Sequence, residues 1–511
     1  MRNNIPHNWI EAKIGELFEM VGGGTPSTKT SEYWNGDTPW ITSADILEDH
    51  RIAPRRTVST RGIAESATNK VPVGTIIVAT RVGLGKAAVA KASMSFSQDC
   101  QGLIVPGKHL DSNFLVYQIE TITSEFIRQS QGTTIRGITK KALADLKLRI
   151  APTQEQHRIV EAIESYLTRL DAAVALLERV QRNLKRYRAS VLKAAVEGRL
   201  VPTEAEIAKK EGRTYEPASK LLAAMPPNSR VRRGVPESVE IRECLRSSVV
   251  PDGWALVSVA DLLRRGVLLD VKDGNHGTNH PHKNDFSDKG LPFITASQMR
   301  DFEIDYEGAP KIAGDPLEKL KVGFAQADDV ILSHKGTVGR VAVCTKPCVL
   351  TPQTTYYRPN QQILLSSYLA IHHASPIYQM QLAANKSQTT RDFVPIRKQY
   401  TLFVLVPPIE EQKRIVTVVE SHLSRQRFMQ KTIDEAARRI LRLRQSILKW
   451  AFEGKLVEQD PNDEPASVLL ERIKAERESM QPRKRRRTIR KKKNEPTKHD
   501  EQLDLLGGTD T

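Results

Sequence analysis

"PTQEQHRIVEAIESYLTRLDAAVALLERVQRNLKRYRASVLKAAVEGRLV" begins at Pro152, and "PIEEQKRIVTVVESHLSRQRFMQKTIDEAARRILRLRQSILKWAFEGKLV" begins at Pro408, 256 residues later. In the first stretch Ile159, Ile163, Tyr166, Leu170, Ala173, Leu177, Val180, Leu184, Tyr187 and Val191 alternate steps of four and three, the spacing of a heptad seam. In the second, Ile415, Val419, His422, Gln426, Met429, Ile433, Ala436, Ile440, Leu443 and Ile447 repeat it, with polar residues only at His422 and Gln426. Each stretch ends at a glycine, Gly198 or Gly454, where a helix turns left-handed. A helix of about 43 residues is roughly 65 Å long, well beyond a globular helix, and reads as a spacer. A stripe this narrow covers little of a wide core, so the two helices are expected to pair with each other, antiparallel.

The repeat extends on both sides of the helix. "PHNW" at Pro6 answers "PDGW" at Pro251, and "PWITSADI" at Pro39 answers "PFITASQM" at Pro292. The offset grows from 245 to 253 between these landmarks, which places an insertion in "DVKDGNHGTNHPHKNDFSDKG" of the second copy. "GTIIVATRVGLGKAAVA" at Gly74 answers "DVILSHKGTVGRVAVC" at Asp329, each an apolar strand, a glycine turn with a basic residue and a second strand. "SQGTTIRGITK" at Ser130 answers "SQTTRDFVPIRK" at Ser387, and "EPASKLL" answers "EPASVLL" after the helices. The helices share far more residues than the globular parts, so one portion is generic and the other specialised.

This pattern predicts an α+β protein with two tandem mixed α/β globular domains separated by two long helices in an antiparallel coiled coil, with approximate two-fold symmetry. The boundaries are residues 1–151 for the first domain, 152–201 for the central helix and 202–244 for a linker with a short helix. They continue with 245–406 for the second domain, 407–458 for the distal helix and 459–511 for a short helix and a basic, disordered tail.

The chain has 511 residues, with 77 Lys and Arg against 60 Asp and Glu, a net charge of +17. That excess favours a polyanionic partner. Nine of the positive charges fall in "RKRRRTIRKKK", Arg483 to Lys493, which reads as a disordered phosphate-binding arm, a nuclear-import patch or a solvated solubility tail. No apolar run approaches the ~20 residues needed to span a bilayer, and "MRNNIPHNWIEAK" lacks a signal-peptide core, so a cytoplasmic protein is expected. Four cysteines do not form a disulfide framework, and Cys344 and Cys348 lack the second ligand pair of a structural zinc site.

Two divergent globular domains, each followed by a nearly constant helix carrying "P-x-x-E-Q-x-R-I-V" and "E-G-[RK]-L-V", resemble the DNA-specificity subunits of type I restriction-modification enzymes. "GGGTPSTKTSEYWNGDTPWITSADI" and "SQGTTIRGIT" strengthen the resemblance, which covers all but the basic tail. It implies that each globular domain reads one half of a split asymmetric DNA target and that the helices set the spacing. It further implies double-stranded DNA, two methylation subunits and two restriction (helicase-nuclease) subunits as partners. The second domain departs from the family at "HGTNHPHKNDFSDKGLPFI", which replaces the usual "GTP…YW" stretch.

The residues themselves offer no catalytic pattern. "NPP[YF]" and "DPPY" are absent, and "RVGLGKAA" at Arg81 lacks the upstream glycine and the hydroxyl residue after Lys86 that a phosphate loop needs. The twelve histidines, including the pair at His372, show no metal spacing. A non-catalytic subunit with no cofactor of its own is expected, with S-adenosylmethionine, magnesium and ATP belonging to the partners. The rivals are a stand-alone two-headed DNA-binding or bridging protein and a methyltransferase with unrecognised motifs.

DNA recognition needs cations at phosphates and Arg, Lys, Asn or Gln at base edges. The candidates in the first domain are Thr28, Lys29, Thr30, Arg51, Arg55, Arg56, Arg61, Arg81, Lys86 and Arg136. Those in the second are Asn275, His276, Lys283, Asn284, Lys335, Arg340, Thr389, Thr390 and Arg391.

Overall fold

The computed structural model describes residues 5–105, 107, 109–130, 137–226, 234–240, 250–276, 280–387 and 392–480. Arg136, Thr389, Thr390, Arg391 and the basic tail lie outside them. The chain forms two compact units that do not follow contiguous segments. One comprises residues 1–171 and 440–511, the other residues 172–439. Each long helix, Thr153–Val196 and Ile409–Phe452, therefore begins in one unit and ends in the other.

In the first unit β1 (Ile10–Lys13), β2 (Glu19–Gly22), β3 (Trp34–Ile41), β4 (Arg56–Val58) and β5 (Lys70–Val71) are followed by β6 (Ile76–Ala79), β7 (Ala87–Val89), β8 (Met94–Phe96), β9 (Cys100–Ile104) and β10 (Lys147–Ile150). They make one sheet ordered β2-β9-β6-β7, a second ordered β4-β3-β8-β5, and the pair β1-β10. The run "IIVA" of β6 is buried on both faces. Ile76 and Val78 enter the core shared with the helices, whereas Ile77 and Ala79 enter the core between the sheets. That is the period-2 alternation of a strand covered on both sides. The second unit repeats this: Val330 and Leu332 face the helical core and Ile331 faces the inter-sheet core. Its four-stranded sheet runs Leu268–Asp273, Thr354–Pro359, Val330–Ser333, Val341–Val343 in spatial order.

The ends of the long helices pack on the globular cores, which the seam alone did not lead one to expect. In the first unit Ile159, Val160, Ile163 and Leu167 share a core with Ile447, Leu448, Ala451 and Phe452. In the second, Val191, Leu192, Ala195 and Val196 share a core with Ile415, Val419 and Leu423. In both units the start of one helix meets the end of the other, so the pairing is antiparallel. The Tyr187 hydroxyl meets His422 Nδ1 at 2.5 Å, and the same register carries Leu177 to the level of Ile433. Away from the ends the stripe is narrow: Ala173, Leu177 and Val180 are half-buried and their neighbours are exposed. Leu170 and Ile440 are half-buried too, while Leu184, Ile433 and Ile447 are buried. Leu443 is exposed, because near its end the second helix turns a broader face to the domain and buries Leu448 and Phe452 instead.

The shared motifs build one joint twice. Trp9 Nε1 donates to Glu155 Oε2 at 2.9 Å, and Trp254 Nε1 donates to Glu411 Oε1 at 3.0 Å. Gln156 accepts from Asp111 N and donates to Ala151 O, and Gln412 accepts from Leu365 N and donates to Pro407 O and Ile363 O. All four side chains of these two E-Q pairs are buried. Burial raises the carboxyl of Glu155, and it pushes Glu411 up to about 7 against the opposing bonds from Glu204 N and Trp254. The following arginines reach acids beyond the end of the other helix: Arg158 to Asp463 at 2.6 Å and Arg414 to Glu204 at 2.7 Å. The "EPAS" copies dock there as well, with Ala466 N donating to Asn8 O and Ala218 N donating to Gly253 O.

The helix-ending glycines complete the joint. Gly198 has φ +66° and Gly454 has φ +68°. A Cβ on Gly198 would lie 2.6 Å from Pro251 Cγ, and one on Gly454 would collide with Pro6, so the glycine of "EG[RK]L" and the proline of "P-x-x-W" need each other. Gly454→Ala adds left-handed strain of about 1–2 kcal/mol before any collision is relieved. The expected outcome is a loss of at least that much stability in the first unit, read by hydrogen exchange in urea. Unchanged protection there would contradict the joint.

Candidate nucleic-acid interface

The four-stranded sheet brings three loops of the first unit to one end. β2 finishes with Gly22 opposite Gln101, and β6 finishes with Ala79 opposite Cys100. The loop after β2, the Gln98–Asp99 turn before β9 and the turn from β6 to β7 are therefore neighbours. Gly24 N donates to Phe96 O at 2.9 Å, and the Thr25 hydroxyl donates to Gln98 Oε1. Thr80 N donates to Asp99 O at 2.8 Å, and Ile138 N donates to Thr80 O at 2.9 Å. Two tryptophans hold the β2 loop from below: Trp40 Nε1 donates to Gly24 O at 3.0 Å and Trp34 Nε1 donates to Ser27 O at 3.1 Å. Their rings meet edge to face at 5.0 Å.

The second unit repeats this backbone with other side chains. Asp273 stands opposite Thr355, Ser333 stands opposite Thr354, and the turn 334–340 leads into the next strand. Val394 N donates to His334 O at 2.9 Å, as Ile138 does to Thr80. The aromatic pair is Phe286 and Phe293 at 5.9 Å. Phenylalanine has no N–H, so these rings cannot bond to the loop as the indoles do. Asn275, where the first unit has Gly24, is 1% exposed, and its Nδ2 has no partner among the described residues.

The candidate residues fall into distinct groups. Thr28 and Lys29 are exposed on the β2 loop, with Thr30 half-buried beside them. Arg81 lies 3.8 Å from Asp99, and Lys86 lies 2.6 Å from the exposed Glu48, both on the β6–β7 turn. Arg51 pairs with Asp49 at 2.6 Å, Arg55 with the buried Asp45 at 2.5 Å, and Arg61 with both Glu32 and Glu65. Among the described residues Arg56 meets no carboxylate, and its guanidinium lies over the Trp34 ring, 5.6 Å from the centroid. In the second unit Lys283 and Asn284 are exposed on a short 3-10 turn, and His276 is exposed with its ring on Gly274 O. Lys335 lies over Phe393 at 5.7 Å, and Arg340 donates to Ala296 O at 2.7 Å. Sequence reasoning did not single out Trp34, Trp40, Gln98 or Asp99. The "YW" and "PW" pairs at fixed distance from the glycine-rich loop were the available signal.

Comparison with known proteins follows the same division. A family model described as the type I restriction modification DNA specificity domain matches residues 6–185 and again residues 266–438. The EcoBI specificity subunit of Escherichia coli is 25% identical over 377 residues, covering 72% of this chain and 72% of its own length. The EcoKI specificity subunit of Escherichia coli K12 is 23% identical over 499 residues, covering 93% of this chain and 96% of its own. The MjaIX specificity subunit of Methanocaldococcus jannaschii is 31% identical over 167 residues, covering 32% and 38%. A solved chain from work on complex assembly and conformational transition of the type I R-M system shares the fold, with TM-score 0.63 and 18% identity, covering 88% of this chain and 99% of its own.

The remaining titratable groups are packing. Among the described residues no cluster of three or more His, Cys, Asp or Glu could hold a metal. Cys344 and Cys348 are buried thiols 3.6 Å apart, and that contact together with burial raises the Cys344 thiol. His372 and His373 are fully buried. Burial pushes His372 down to about 3, and burial with the neighbouring His372 pushes His373 well below its ordinary value. His373 stacks on Tyr378 at 4.0 Å. A histidine whose folded value is depressed stabilises above its unfolded value near 6.5, and that stability is lost as pH falls below it. His373→Phe keeps the stacked ring and removes the proton site. Between pH 7 and pH 5 the second unit of this variant should lose about 2 kcal/mol less stability than the wild type. Parallel unfolding profiles would contradict this.

Proposed function

Because the chain belongs to the family of type I restriction-modification DNA specificity proteins, we propose that it reads a split asymmetric DNA sequence, one half-site per recognition domain. It is the DNA-recognition subunit of such a system, and its partners are DNA and the methylase and restriction subunits. The finer reading is that residues 1–151 and 245–406 carry the recognition domains and that the helices set the gap between half-sites. Two methylation and two restriction subunits assemble on the chain, which contributes no catalytic group. S-adenosylmethionine, magnesium and ATP serve those partners. No helix among the described residues is long and apolar enough to cross a membrane. The protein acts on DNA in the cytoplasm.

One observation carries the reading: the same sheet end, with the same backbone bonds at Thr80 and His334, is built twice and given different side chains each time. Repetition of backbone fits one task, and divergence of loops fits two sequences. Base-edge contacts are local, worth about 1–3 kcal/mol for a good bidentate pair, so each sheet end can specify its own half. Thr28, Lys29, Arg81 and Lys86 would serve one half-site, and Lys283, Asn284, Lys335 and Arg340 the other. Arg81 and Lys86 also meet acids, Asp99 and the exposed Glu48, but lie on the β6–β7 turn at the sheet end; Arg51, Arg55 and Arg61 lie off that turn, are held by their own acids and are assigned to the fold.

Replacing residues 1–151 with the corresponding domain of a relative tests this. Methylated positions mapped across a genome should then change in one half of the target, with the other half and the gap retained. A hybrid that altered both halves would refute independent reading. The chain without its methylation partner should transfer no methyl group to DNA, and measurable transfer would refute the non-catalytic assignment.

A further inference from the structure

Four arginines lie within eleven residues of the first unit, and among the described residues only one has no acidic partner. Arg51 is held by Asp49, Arg55 by the buried Asp45, and Arg61 between Glu32 and Glu65. Arg56, at the start of β4 and opposite Trp40 across the sheet, is exposed and has no acidic partner among the described residues. Its guanidinium instead lies over the Trp34 ring, 5.6 Å from the centroid.

The same indole holds the β2 loop. Trp34 Nε1 donates to Ser27 O at 3.1 Å, immediately before the exposed Thr28 and Lys29. Trp40 fixes Trp34 edge to face at 5.0 Å and bonds to Gly24 O, which also accepts from the Thr68 hydroxyl at 2.9 Å. One aromatic pair thus positions a free guanidinium and a loop of hydroxyl and amine groups together. A guanidinium held over an indole face has fewer positions open to it than one free in solvent, so less freedom is lost when its fork forms two parallel bonds. Such a fork matches the O6 and N7 acceptors of guanine in the major groove; a phosphate also accepts it, but a phosphate contact would carry no preference among sequences. In the second unit Phe286 and Phe293 stand in for the tryptophans, so this arrangement belongs to one unit.

We propose that Arg56 reads a guanine edge in the half-site bound by the first unit, with Trp34 as the positioning residue that aims it. The inference rests on that unit being a DNA-recognition domain. Within that reading Arg56 is a specificity residue, set apart from its three neutralised neighbours.

The test is selection from a pool of duplexes randomised across the whole site, using the full chain assembled with its methylase partner. Arg56→Lys keeps the charge and removes the fork. The expected result is loss of about tenfold or more in discrimination at one guanine position of one half-site, with the other half and the salt dependence of affinity unchanged. Trp34→Phe keeps an aromatic face but frees Ser27 O, and should weaken selection across the same half-site only. An unaltered motif from Arg56→Lys, or uniform weakening on every sequence, would overturn the proposal. If the unaltered chain selected no two-part motif, the recognition reading would fall first, and this inference with it.

Discussion

A buried carboxylate facing an indole N–H is the interaction on which both halves of the chain depend. Glu155 and Glu411 are the third residues of their helices, each nearly or wholly removed from solvent, and each would be costly to bury without a donor. Trp9 and Trp254 supply that donor from the strand end of the domain. The neighbouring glutamines cross-link the domain backbone, and the neighbouring arginines capture the segment that follows the other helix. The Trp of "P-x-x-W" is thus paired with the Glu of "E-Q-x-R", its Pro with the Gly of "E-G-[RK]-L", and the carbonyl before its Trp with the Ala of "E-P-A-S". A change in one of these motifs disturbs another, which fits the likeness of the generic part in its two copies.

The sheet ends obey a different constraint. Their backbone bonds recur between the units, but the side chains carried on them are not tied to the joint. The first unit stiffens its β2 loop with two indoles; the second offers two phenylalanines and a buried asparagine in the corresponding places. Divergence there costs the fold little, because exposed loop residues contribute few buried contacts. Under the proposed reading, specificity can change without disturbing the joints.

The architecture was largely legible because internal repetition and heptad spacing are long-range patterns that survive divergence. Two features were not. The burial of the helix ends in globular cores was hidden because residues such as Val160, Leu167, Leu192 and Leu448 lie beside the seam and look like ordinary interruptions of it. The sorting of the arginines was hidden for another reason. Asp49 lies two residues from Arg51 and Glu65 four residues from Arg61, but Asp45 and Glu32 are brought to their arginines by turns and sheet pairing that charge patterning cannot supply. Trp34 looks like one more core aromatic until its N–H is seen on the loop carbonyl.

We propose that the joints hold each unit together and that the sheet ends carry recognition. This division is tested most directly by selecting duplexes with a Trp9→Phe, Trp254→Phe double variant, each substitution removing an N–H from a buried carboxylate. The account requires a less stable protein, by roughly 1–3 kcal/mol per joint, that still selects both half-sites and the same gap as the wild type. A double variant of unaltered stability, or one that remained folded yet selected different bases in either half, would contradict it.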